Sequence, residues 1–135
     1  MCMYHNASEI GYAFLDTNQN GTPELLVGPI GSEDCFFDLY TAIEGTPIPV
    51  AQSSERDRYY ICADGAIANE GSSSASNSTY AYYTIGEQGQ LILSEAVIYD
   101  EAYSEDSLWY STSAISAEGA APLSQESAEL IFKKH

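Results

Sequence analysis

Hydrophobic residues along this chain recur mostly with a period of two, in short runs separated by turn residues, which is the pattern of strands rather than helices. Residues 12–15 form one such run and residues 25–27 the next. Between 34 and 43 the alternation is clear: Cys35, Phe37, Leu39, Thr41 and Ile43 share one face, and Phe36, Asp38, Tyr40 and Ala42 the other. Residues 48–51 return beside it as a short strand. It belongs at a sheet edge, because Pro47 and Pro49 cannot donate to a ladder. Further strands are expected at 58–63 and 66–70, joined by the hairpin signal Asp64-Gly65, at 79–85 and 90–99, joined across 86–89, and at 108–114. The run 90–99 is apolar on both faces, with Leu91, Leu93, Val97 and Tyr99 against Ile92, Ala96 and Ile98, so it belongs inside a sheet. The small residues of 71–77 read as a flexible surface loop.

Only at the end does the period change. Ser124 is a helix N-cap with Leu123 as its staple; Leu130, Ile131 and Phe132 form an apolar side, and Lys133 and Lys134 suit the C-terminal dipole. The expectation is an all-β antiparallel meander of about eight or nine strands with one C-terminal helix over 124–134. A twisted sheet, a half-open barrel and a small sandwich all fit that pattern. Residues 1–135 are read as one β-rich domain in which 1–10 are a poorly structured lead.

The chemistry is concentrated in the loop between the first two strands. Asp16, Asn18, Asn20, Thr22 and Glu24 fall on alternate residues, so a tightly wound loop turns several oxygens toward one centre. That donor set suits calcium, with Thr22 contributing its main-chain carbonyl, and Gly21 supplies the sharp turn after the third ligand. The alternative is an ordinary hairpin turn, since Asn and Gly tolerate positive φ. Only Asp16 and Glu24 are charged, so the expected affinity is weak, on the order of 10⁻⁴ to 10⁻³ M.

The run DTNQNGTPELLVGP resembles the calcium hairpin of FG-GAP repeats, the blades of integrin α-chain propellers, whose pattern is D-x-N-x-D-G-x-P-D-L-x-x-G-A-P. In that resemblance Asp16, Asn18, Asn20, Thr22 and Glu24 stand at the ligand positions, and Gly21, Pro23, Leu25 and Gly28 at the framework positions. Asn20 and Glu24 depart from the commoner Asp, and the upstream F-G element is missing. One copy of the hairpin does not make a closed propeller. The chain as a whole is similar to small secreted β-rich, tyrosine-rich proteins of gut Firmicutes. This resemblance implies a secreted or surface-attached location, with a signal peptide trimmed from the chain.

Composition narrows the partners. Twenty acidic residues against four basic ones give a net charge of −16, which repels nucleic acid and anionic membranes and favours cations. No apolar run approaches the ~20 residues needed to span a bilayer. Eleven tyrosines, among them Tyr59, Tyr60, Tyr80, Tyr82, Tyr83, Tyr99, Tyr103 and Tyr110, are candidates for a glycan- or protein-binding surface, with cross-strand packing as the plainer role. Cys2, Cys35 and Cys62 cannot all pair within the chain; they are read as thiols, with a Cys35 to Cys62 bridge as the alternative.

Catalysis has little support, because His5 and His135 both lie at the ends of the chain, where order is poorest. The expected role is a non-catalytic, calcium-stabilised module that binds or supports. The alternative is a glycosidase-like enzyme using Asp100, Glu101, Glu105 and Asp106 beside Trp109 and Tyr110.

Overall fold

The computed structural model describes residues 7–30, 36, 38–54, 56–74, 76–101, 109–112 and 120–135. Within them the chain forms ten strands in two antiparallel sheets and one C-terminal helix. Residues 7–9 are a 3₁₀ turn and Ile10 is already in a strand, so the described part of the stretch expected to be a lead is regular. The first sheet has β1 (Ile10–Leu15), β2 (Glu24–Pro29), β3 (Asp38–Ile43) and β4 (Thr46–Gln52) in that order. The second runs from β5 (Asp57–Ile61) through β6 (Ile67–Ser74), β7 (Asn77–Ile85), β8 (Leu91–Asp100) and β9 (Trp109–Thr112) to β10 (Ala121–Leu123). Within each sheet, strands consecutive in sequence pair with one another, as period-two patterning and hairpin turns require.

The meander divides after β4. Pro47 and Pro49 lie in that strand, which is an edge of the first sheet, and the chain leaves it to open the second. The two sheets meet where Phe36 N–H donates to the Tyr59 carbonyl at 3.2 Å and the two rings stack with centroids 6.1 Å apart. Around that contact Leu39 on β3, Ile67 on β6 and Ile85 on β7 are buried, with Leu26, Val50 and Leu91 packed against them. The core is thus the filling between two sheets. Strand β8 lies between β7 and β9, as its two apolar faces require.

Two elements differ from the sequence pattern. The described residues of 71–77 are mostly strand, because β6 continues to Ser74 and β7 starts at Asn77, with Ser74 opposite Asn77. Small residues suit a strand end as well as a flexible tract, and the register shifts between Gly71 and Ser74. Strand β10 is an addition; its three residues, one of them Pro122, are too few to show a period.

The helix α1 (Gln125–Lys134) starts as expected, with Ser124 Oγ accepting the Ser127 N–H at 3.1 Å. Its Phe132 enters a chain of edge-to-face rings with Tyr80, at 5.0 Å, and Trp109, at 6.0 Å, and Trp109 in turn meets Tyr99 at 4.9 Å. These tyrosines therefore hold the helix on the second sheet. Tyr103 lies outside the described residues. Leu39 has no exposed surface, so Leu39→Ala should lower unfolding free energy by about 2–5 kcal/mol, measured by denaturant titration.

Candidate functional site

The loop between β1 and β2 winds around its own side-chain oxygens. Asp16 accepts from two main-chain donors, Asn20 N–H on Oδ1 at 3.1 Å and Gly21 N–H on Oδ2 at 2.9 Å. Asn18 Oδ1 lies 3.4 Å from the same Asn20 N–H, and Asn20 Oδ1 accepts from Thr22 N–H at 2.9 Å. Gln19 and Gly21 have φ of 55° and 87°. A side chain at 21 would be strained by that angle alone, since no atom lies within 4 Å of where its Cβ would be. The main chain thus gathers the oxygens of Asp16, Asn18 and Asn20 on one short arc. Each has further lone pairs for a cation.

Glu24 does something different. It is the first residue of β2, opposite Leu15, and has no exposed surface. Its Oε2 accepts both Thr17 N–H at 2.8 Å and Thr17 Oγ1–H at 2.9 Å, and Oε1 lies 3.4 Å from Thr41 Oγ1 on β3. The carboxylate closes the neck of the hairpin and reaches the neighbouring strand. Its Oε2 is saturated while Oε1 keeps capacity, so four of the five predicted ligand residues stand along the loop and the fifth braces its base. Among the described residues, no group of three or more His, Cys, Asp and Glu side chains is placed to hold a metal. A calcium site here would therefore consist of two carboxylates completed by amide and main-chain oxygens, a set that fits a weak oxygen-only cation site.

Beside the loop lies a cavity of about 170 Å³, lined by Thr17, Asn18, Asp64, Ser94 and His135 among others. The β5–β6 turn approaches so closely that a Cβ on Gly65, whose φ is 86°, would stand 2.7 Å from the Thr17 carbonyl oxygen. The far wall is His135. Its side chain is only 7% exposed, with Nδ1 2.7 Å from Asp64 Oδ2 and Nε2 2.7 Å from Glu95 Oε1. It also stacks on Tyr82 at 3.9 Å and 14°. Two ionised carboxylates on one imidazole are both hydrogen-bonded when the ring carries an N–H at each nitrogen. Lys134 adds a cation on Glu95.

These contacts were hidden in the sequence, where a terminal histidine reads as frayed. The signal was present in the Lys133-Lys134-His135 end of an amphipathic helix on an acidic chain, because such an end seeks carboxylates wherever the helix docks. Asp64 and Glu95 lie in different hairpins, and only the pairing of the sheet brings them together.

The pKa values follow the geometry. Partial burial tends to raise both carboxylates, but it is outweighed, for Asp64 by the Ala66 N–H and then His135, and for Glu95 by Lys134 and then His135. Both lie below their ordinary values of 3.8 and 4.5. Burial, with Cys62 and Glu95 behind it, pushes the Tyr82 hydroxyl up to about 12. Cys62 is a free thiol, pushed up by burial and by Asp64, and so less nucleophilic than an exposed one. Cys2 and Cys35 lie outside the described residues.

Of the acidic stretch, Asp100 accepts from Asn77 Nδ2 at 3.0 Å and Glu101 accepts from the Tyr99 hydroxyl. Glu105 and Asp106 lie outside the described residues. No protein-family model, no curated protein and no solved structure matches this chain. No helix among the described residues is long and apolar enough to cross a membrane.

Two outcomes are expected. Glu24→Ala leaves Thr17 N–H without its acceptor and should cost about 2–4 kcal/mol, read from denaturant midpoints. His135→Ala should cost about 1–3 kcal/mol near neutral pH. Because the Asp64 and Glu95 values are lowered on folding, the stability they contribute is complete above their ordinary values and is lost as pH falls through the lower folded ones. The melting temperature should therefore drop as pH falls below about 4.5, and it should drop less in His135→Ala. Identical pH profiles for the two proteins would show that the histidine is a bystander.

Proposed function

We propose that this chain is a non-catalytic β module, secreted or attached to a cell surface, in which calcium at the 16–24 loop stabilises the first hairpin and the sheets serve binding or support. The observation that carries this reading is the winding of the loop, in which four main-chain hydrogen bonds turn the oxygens of Asp16, Asn18 and Asn20 onto one arc. The resemblance of DTNQNGTPELLVGP to the FG-GAP calcium hairpin points the same way. A bound calcium would supply positive charge at that arc. Asp16 and the two asparagines would hold it with the Thr22 carbonyl, and the remaining lone pairs of Glu24 Oε1 lie at the base.

Two further observations favour a module over an enzyme. Both ring nitrogens of His135 are engaged by carboxylates, so the ring is committed to holding the helix. Asp100 and Glu101, the described members of the acidic stretch, are likewise held by Asn77 and Tyr99. A weak oxygen-only site fills where calcium is at millimolar levels, as it is outside cells. Such binding stabilises the folded state by linkage, by ~2.7 kcal/mol at a hundredfold excess over the dissociation constant.

The test is a thermal melt of chelator-treated full chain with added calcium or magnesium. Millimolar calcium should raise the melting temperature and magnesium should raise it less, while Asp16→Ala should melt alike with and without calcium. If chelator and calcium both leave the wild-type melt unchanged, the loop is only a turn. Turnover of a chromogenic glycoside that disappears in folded Glu101→Gln would overturn the non-catalytic half.

A further inference from the structure

We propose that β1 is a docking edge for an extended peptide strand of another protein, one with alternating apolar residues and a basic residue at each end. The inference rests on the binding reading given above and names the class of partner.

Among the described residues, strand β1 is paired on one side only, with β2. The direction of its free groups follows from one hydrogen bond. Ile30 N–H donates to the Glu9 carbonyl at 2.7 Å, which continues the register in which Ile10 faces Pro29 and Gly11 faces Gly28. Residues opposite one another in an antiparallel pair alternate between exchanging hydrogen bonds and not. Gly11, Ala13 and Leu15 therefore bond to β2, while the main-chain groups of Ile10, Tyr12 and Phe14 point to the open edge. Pro29, which has no N–H, agrees with this phase because it faces Ile10 in a pair that exchanges no bonds.

The same three residues present their side chains on one face. Tyr12 is 75% exposed and Phe14 64%, and their rings meet edge to face at 5.9 Å. With Leu25 and Val27 of β2 they line an open apolar groove of about 550 Å³. An incoming strand thus finds a row of donors and acceptors beside a groove for alternate side chains, the two things that strand addition uses.

The other three sheet edges are guarded. Strand β4 carries Pro47 and Pro49, β10 carries Pro122, and β5 opens with Asp57 and Arg58. Strand β1, IGYAFL, has neither charge nor proline. Its charges stand at the ends, Glu9 before it and Asp16 after it. These select a partner with cations at both ends, and the net charge of −16 repels a second copy of this chain.

The probe is a synthetic peptide of alternating valine and threonine with a lysine at each end, compared with the same peptide ending in glutamates. Amide hydrogen exchange of the full chain, followed by NMR, should slow roughly tenfold or more at Ile10, Tyr12 and Phe14 with the lysine peptide, and not at Gly11, Ala13 and Leu15, whose N–H groups β2 already holds. The glutamate peptide should protect these amides at least roughly tenfold less well. Tyr12→Pro removes an outward donor and no bond to β2, so it should weaken binding while the melt is retained; should that variant fail to fold, the wild-type exchange pattern still decides. No protection at the three amides, equal protection by both peptides, or protection that grows with protein concentration alone would overturn the proposal. Calcium-dependent melting is read separately, so the binding surface and the calcium loop can fail independently.

Discussion

Glu24 is a carboxylate with no exposed surface, and three strands meet through it. Its position at the start of β2 is opposite Leu15 at the end of β1; its oxygens accept from Thr17, just beyond β1, and lie beside Thr41 of β3. The effective cost of burying such a charge is several kcal/mol. Hydrogen bonds to a charged group return about 1.5–3 kcal/mol each, and the one to Thr41, at 3.4 Å, returns less than the two to Thr17. The two sides nearly cancel. The carboxylate therefore selects one closure of the hairpin more than it adds to overall stability, and a loop of that length without it would have many closures.

The second constraint is on the helix. An amphipathic helix of ten residues is marginal alone, so its order comes from what it docks on. Phe132 provides the apolar anchor among Tyr80 and Trp109, and His135 with Lys134 provides the polar one on Asp64 and Glu95. The polar anchor also joins the β5–β6 turn to β8, and that turn in turn abuts the Thr17 carbonyl through Gly65. The hairpin neck, the turn and the helix end therefore form one continuous contact around a small cavity.

Much of this was legible in the sequence wherever one residue decides one local outcome. Pro47 and Pro49 marked an edge, Asp64-Gly65 a turn, Ser124 a cap, and the doubly apolar run through Val97 a central strand. What was not legible depends on pairing over long separations. The contact between Phe36 and Tyr59, where the two sheets meet, is one such pairing, and nothing local to either residue announces it. His135 lies 71 positions from Asp64 and 40 from Glu95, so its environment is written in the fold and not in its neighbours. The loop is the intermediate case. Its alternating oxygens were visible from spacing, but spacing cannot separate a side chain that lines the loop, as Asp16 does, from one turned, as Glu24 is, to the next strand.

Charge explains why these few contacts matter. Of the four basic residues, Arg58 is paired with Glu70 and Lys134 with Glu95, so internal cations are soon used up against twenty acids. The repulsion left over opposes compaction, and it is strongest where acids are held close together. An external cation and a basic partner strand, both proposed above, would each answer that excess. The first would act at Asp16, where the main chain already gathers oxygens, and the second along β1, which Glu9 and Asp16 flank. Asp16 thus belongs to both, and a cation bound there would weaken the pull on a lysine at that end of the strand while stiffening the hairpin that presents it. The two effects oppose each other, and because surface attraction is screened over about 10 Å at ordinary ionic strength, the stiffening should dominate as salt rises.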